Sequence, residues 1–545
     1  MRRGWLGLLL ALLVAAVLVF GSVATSLAAI PDDPDFDPVT RRFGRTRSIT
    51  VEVYDRGNPG GSPPEDNAFT DFIKEGMLRD HNVRVTFVPI PRWTEVEVIN
   101  ARLAAGDAPD VAVTYSYPTI QTYANMGGVI DLAPYLEKYK DVLPNLWELL
   151  GDTNIYWNRD PNTGRVWAIE ALLFQNKRIN TFVREDWLKK LGLPEPRTLE
   201  EFENMLRAFR DNAELLLGPE MAHEMIPFSI SQDVGWRADH LLMSFVPESL
   251  TDKEMFIYGF DDRHFLFPGY KEGVRKLNQW YHEGLIWPDF ALYPAGDQTE
   301  DNNMKKGVVG AFIHNWDYPY RNGEDSIHVG LQRLVGPEAA FIAVEPFPND
   351  AGIYRKFLSA PIDRKVFFPI TNREPLASLL YLDWISKLEN RRHLQIGWEG
   401  INHQVLPDGA VQLLQATGRY IMNSPQNIDY TLTINGLDLG DPEITAKSIA
   451  LNYPGVDARY IERAYRITDN EARYGKNFQV GEIKAEEGMQ TVLTQKRDNL
   501  LARAIVAPPD QFDRVWDEGF ADYLRSGGQA IINERLQKYE AIYGE

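Results

Sequence analysis

Between Ile49 and Thr114 the apolar residues switch back and forth between two spacings, and this constrains the fold more than any other feature of the chain. Ile49, Val51 and Val53 alternate with polar neighbours, which is the period of a strand. Phe69, Phe72, Ile73 and Met77 then follow the period of a helix. Val83, Val85 and Phe87 return to alternation, a helix over roughly 94–105 stops at Gly106, and 110–114 reads as a buried strand. Strand, helix, strand, helix, strand predicts an α/β fold with a mostly parallel sheet covered by helices. In such sheets ligands lie beyond the carboxyl ends of the strands. That rule brings the loop at 55–62 and Tyr115-Ser116-Tyr117 to a ligand-binding edge.

The N-terminus predicts export. Arg2 and Arg3 precede an apolar run from Trp5 to Phe20, and small residues close the segment at Ala28 and Ala29. This is the order of a secretory signal peptide, and an uncleaved anchor is the other reading of the same run. The chain has no cysteine, so thiol catalysis, thiolate metal sites and lipid attachment through cysteine are all excluded for these residues. The expectation is a periplasmic or cell-surface protein that is not a lipoprotein. A net charge of −20 argues against nucleic acid and against anionic membrane surfaces as partners. Most of the 13 Trp and 24 Tyr are expected to fill the core; some of them lining a cleft would suit a ligand with both apolar faces and hydroxyls, and sugars are that class.

No nucleophile elbow, zinc helix, phosphate loop or dinucleotide fingerprint occurs in the sequence. The nine histidines show no metal-ligand spacing, and no cofactor is expected. Asn158-Arg159-Asp160-Pro161-Asn162-Thr163-Gly164 carries oxygen side chains at alternate positions, but its glycine falls one place late for a calcium loop. Strand-like flanks predict a hairpin turn there instead.

Three blocks resemble the family 1 extracellular solute-binding proteins, the exported receptors of ABC importers, and in particular the large oligosaccharide and alginate-type branch. They are Leu103-Ala-Ala-Gly-Asp107-Ala-Pro109-Asp110, then Val183-Arg184-Glu185-Asp186-Trp187-Leu188 running to Pro194 and the helix capped by Thr198 and Glu201, and lastly Leu382-Asp383-Trp384 leading to Gly397-Trp398-Glu399-Gly400. The resemblance implies a two-lobed periplasmic-binding-protein type II fold with the ligand cleft between the lobes. It implies no catalysis, an oligosaccharide ligand, a membrane permease as partner and a monomer. The alternative is an exported glycoside hydrolase or lyase. The implied segments are 1–29 signal peptide, 30–47 flexible linker, 48–170 and 361–425 N-terminal lobe, and 171–360 and 426–545 C-terminal lobe with closing helices. The branch's calcium loop corresponds to 211–227, where leucines replace its oxygen ligands, so the site is expected to be lost.

Candidate ligand residues follow from strand ends and aromatic character. Trp398 is either a sugar platform, with Glu399 taking a hydroxyl, or a core plug. Trp316 follows a strand ending near Ile313, and Trp236 with Arg237 lies in an irregular segment. Tyr115 and Tyr117 follow the third strand, and Tyr54 and Arg56 end the first. Arg237, Arg321 and Arg178 either serve an acidic sugar or pair with the chain's carboxylates. Arg184 and Asp186 are expected to pair while Trp187 packs.

Overall fold

The computed structural model describes residues 30–57, 61–174, 178–293, 298–358 and 360–544. The predicted signal peptide therefore lies outside the described residues, as do 58–60 of the glycine-rich loop. Ten strands build two sheets: β1 (Arg47–Asp55), β2 (Val83–Pro91), β3 (Ala112–Thr114), β4 (Ile169–Leu173), β5 (Ile179–Arg184), β6 (Ile226–Ser229), β7 (Val309–Asn315), β8 (Phe341–Val344), β9 (Ile362–Phe367) and β10 (Ile434–Asn435).

The first sheet runs β2-β1-β3-β9-β4-β10, with β3 joined to β1 by a parallel bridge from Val111 to Val51. β1 and β2 are parallel, β4 and β10 are parallel, and β9 runs against β3 and β4. Ile49, Val51, Val53, Val83 and Val85 are buried in the core beneath it. The helix Ala68–His81 starts at Asn67, whose side chain accepts from Phe69 N and Thr70 N, and the helix Glu95–Ala105 ends at Gly106 with φ 75°. The helix Pro375–Ser386 is buried along nearly its whole length, as a helix with apolar residues on every face is. Its Asp383 accepts from Leu146 N at the start of the helix Pro144–Ile155, where the helix dipole favours an anion.

The second sheet runs β8-β5-β7-β6 around a separate core. Arg184 forks onto Asp186 at 2.9 and 2.8 Å and Trp187 packs beneath it, as expected from the sequence. The helix Leu199–Asp211 begins with Thr198 accepting from Glu201 N. Glu201 reaches back to Arg197 N, one residue short of the reciprocal box. Where the branch's calcium loop is expected, residues Ala213–Leu217 coil into a short helix. Asn158–Val166 is a turn, with an Arg159–Val166 bridge and Asp160 Oδ1 accepting from Asn162 N and Thr163 N.

Two segments depart from the sequence reading. Residues 30–47 are packed on the first lobe rather than extended as a linker. Phe36–Asp37 pairs with Arg42–Phe43, Phe43 is buried, Arg41 bridges Asp383 at 3.1 Å, and Arg47 bridges Asp33, Asp35 and Glu374. Composition shows the charges of such a segment but not the partners waiting for them. The first sheet also takes in β10, so first-lobe structure continues past residue 425.

Candidate functional site

The chain passes between the sheets three times: after β4, between β8 and β9, and after β10. Strand directions place all three passages at one edge of each sheet. On the first sheet this edge holds the carboxyl ends of β1, β2, β3, β4 and β10 and the start of β9. On the second it holds the start of β5 and the carboxyl ends of β6, β7 and β8. The two ligand-type edges therefore face each other across the connections.

On the first lobe, Arg92 follows β2 and lies over two tyrosine rings, 5.0 Å from the centroid of Tyr54 and 4.4 Å from that of Tyr115. Those rings are stacked at 6.3 Å. Arg92 Nη1 donates to Glu95 Oε2 at 3.2 Å, while Thr114 Oγ1 donates to Glu95 Oε1 at 2.7 Å. Arg56 donates twice to Asp429, at 2.8 and 2.8 Å, and the pair holds the guanidinium well above its ordinary pKa. Trp93 stands beside this cluster with 78% of its surface exposed. Beneath it Glu52 is fully buried. Burial pushes its carboxyl up to about 8, against the pull of the hydrogen bond it accepts from Val113 N.

On the second lobe, Trp236 lies between two guanidinium groups, Arg178 at 4.7 Å and Arg263 at 4.8 Å. Arg263 is locked to Asp233 by bonds of 3.1 and 2.8 Å. Trp316 immediately follows β7, and its ring packs edge-on to Tyr453 and Tyr465.

The structure brings Tyr115, Arg56, Trp236 and Trp316 to the facing edges and removes others from them. Tyr54 is buried, donates to Val113 O at 3.2 Å and serves as a floor for Arg92. Arg237 is buried in an ion pair with Glu300, with Nε on Ile313 O, so its donors are spent inside the lobe. Tyr117 gives its hydroxyl to Asn158 O and leans on a small core patch. Trp398 is wedged among Phe69, His393 and Tyr420, the plug geometry, and Glu399 is exposed on the turn that follows. Sequence reasoning passed over Arg92, Trp93 and Glu95. Trp93 lies two residues beyond β2, which runs on to Pro91, past the alternation of Val83, Val85 and Phe87 that marks it in the sequence. Among the described residues, no group of three or more His, Asp or Glu is placed to hold a metal ion.

Residues 60–226 match the model of the bacterial extracellular solute-binding protein family. The chain is 24% identical over 321 residues to lipoprotein LipO of Bacillus subtilis, covering 57% of this chain and 56% of that protein. It is 27% identical over 348 residues to the fructooligosaccharide ABC transporter substrate-binding protein FusA of Streptococcus pneumoniae, covering 60% of each. The chain thus spans little more than half the length of these relatives. In fold it is similar to a human-milk-oligosaccharide (HMO) binding, ABC-transporter-associated solute-binding protein of Bifidobacterium longum infantis. That likeness has a TM-score of 0.61 and 16% identity over 92% of this chain and all of the other. The fold is that of the two-lobed periplasmic binding proteins. The sequence match over 60–226 and the likeness in fold are thus both to solute-binding proteins.

Proposed function

We propose that this protein is the exported substrate-binding receptor of an ABC transporter, which captures an oligosaccharide by lobe closure and hands it to a membrane permease. The observation that carries the reading is the pair of facing strand edges, each bearing aromatic and guanidinium groups and joined by three connections. A ligand touching both edges favours the closed arrangement by its differential contacts, and that is the energy source of the transition. FusA and LipO are named as a transporter's substrate-binding protein and a lipoprotein, not as enzymes. The receptor role requires that sugar be returned intact. Among the described residues no helix is long and apolar enough to cross a membrane. In this reading the protein acts as a monomer, with residues 5–20 either cleaved off or kept as an anchor. The intact mass of the exported protein separates those two forms.

The test is intrinsic tryptophan fluorescence titrated with oligosaccharides, together with a reducing-end assay on the same mixtures. Saturable change without new reducing ends is the expected result. Turnover makes the protein a carbohydrate-active enzyme instead.

A further inference from the structure

We propose that Trp93 is the first lobe's principal ligand contact and that it stacks an uncharged sugar ring. The proposal rests on the receptor reading above and adds to it a residue and a ligand class.

A tryptophan 78% exposed is costly to leave against water, and this one stands at the end of β2 on the edge that faces the second lobe. It is the third layer of a built arrangement. Tyr54 is fixed by Val113 O, Arg92 is held over Tyr54 and Tyr115 by Glu95, and the Arg92 guanidinium is 5.4 Å from the Trp93 ring. An exposed indole beside a guanidinium offers an apolar surface for the C–H side of a pyranose or furanose and polar atoms for its hydroxyls.

The charge of the ligand follows from how the arginines are spent. Arg56 is matched to Asp429, Arg92 to Glu95, Arg263 to Asp233, Arg237 to Glu300 and Arg321 to Asp317. At these five a uronate carboxylate has to displace a carboxylate already in place, three of them bound through a guanidinium fork, while Arg178 gives its Nη2 to the Asp262 carbonyl. It also approaches a chain of net charge −20. Neutral hydroxyls instead use the spare donors of the arginines and the spare lone pairs of the carboxylates without breaking a pair.

The experiment is calorimetric titration of the purified protein, its Trp93→Ala variant and its Trp93→Phe variant. The probes are neutral fructo-, malto- and xylo-oligosaccharides and, in parallel, oligogalacturonates and alginate oligomers. The expected result is binding of a neutral probe, weakened about tenfold or more in Trp93→Ala and largely restored in Trp93→Phe. Unfolding midpoints should be unchanged, because the side chain is outside the core. Wild-type affinity in Trp93→Ala overturns the contact. Tighter binding of the uronates than of every neutral probe overturns the ligand class. Failure of the wild-type protein to bind any sugar overturns the receptor reading and this proposal with it, so the three failures are told apart.

Discussion

Burial holds Glu52 protonated where most carboxyls are charged, and this has a measurable sign. Its folded-state pKa is pushed up to about 8 from an ordinary 4.5, chiefly by loss of water, with Glu95 adding to the rise and the Val113 N–H opposing it. Between pH 4.5 and 8 the folded protein therefore keeps a proton that the unfolded chain has released. Stability from this group is fully present below the unfolded value and falls as pH rises, by about 1.4 kcal/mol per pH unit across that window. Glu52→Gln keeps a carbonyl for Val113 N and cannot ionise. The variant should match the wild type in urea unfolding at pH 4.5 and exceed it by roughly 4–5 kcal/mol at pH 8.5. Parallel pH profiles for the two proteins contradict the assignment. The same scale separates arginines spent inside a lobe from those at the facing edges. Arg237 sits in a buried pair whose partner Glu300 also accepts from Ser229 Oγ, whereas Arg92 reaches the facing edge.

At the scale of elements, the segment 30–46 is part of the first lobe. Phe43 is buried against Phe36, and Arg41 reaches Asp383, which also caps a helix. A protein beginning at Arg47 should lose roughly 3 kcal/mol in denaturant unfolding, from the lost Phe43 burial and the stripped Asp383. A mere tether would cost nothing on removal. The strands and helices from Ile49 to Thr114 were legible because their apolar residues follow one spacing at a time and Gly106 marks a stop. The segment 30–46 was not, because its structure depends on Asp383 and Glu374, more than 300 residues away. The same reason hid the fate of Arg237, since nothing near it in sequence announces Glu300. Tyr54 shows a further limit: an aromatic at a strand end was correctly placed at the edge, yet its neighbours Arg92 and Tyr115 cover it. Trp93 was hidden because β2 runs on to Pro91, past the alternation of Val83, Val85 and Phe87.

At the scale of the molecule, the lobes are joined by more than the three connections. Lys356–Leu358 pairs in parallel with Ala472–Tyr474, and the chain beyond it forms a strap. Phe478 is anchored among Phe256, Tyr539 and Tyr543 of the second lobe, while Asn477 and Gln479 donate to Trp157 O and Tyr156 O of the first, each at 2.7 Å. On the proposed receptor role, this joint is where one lobe rotates against the other while both cores stay intact. Small-angle X-ray scattering of the purified protein, with and without a saturating neutral oligosaccharide, tests this most directly. The account predicts a smaller radius of gyration with sugar bound and the sugar recovered unchanged. A radius that stays the same at saturation, or sugar recovered as fragments, would contradict it.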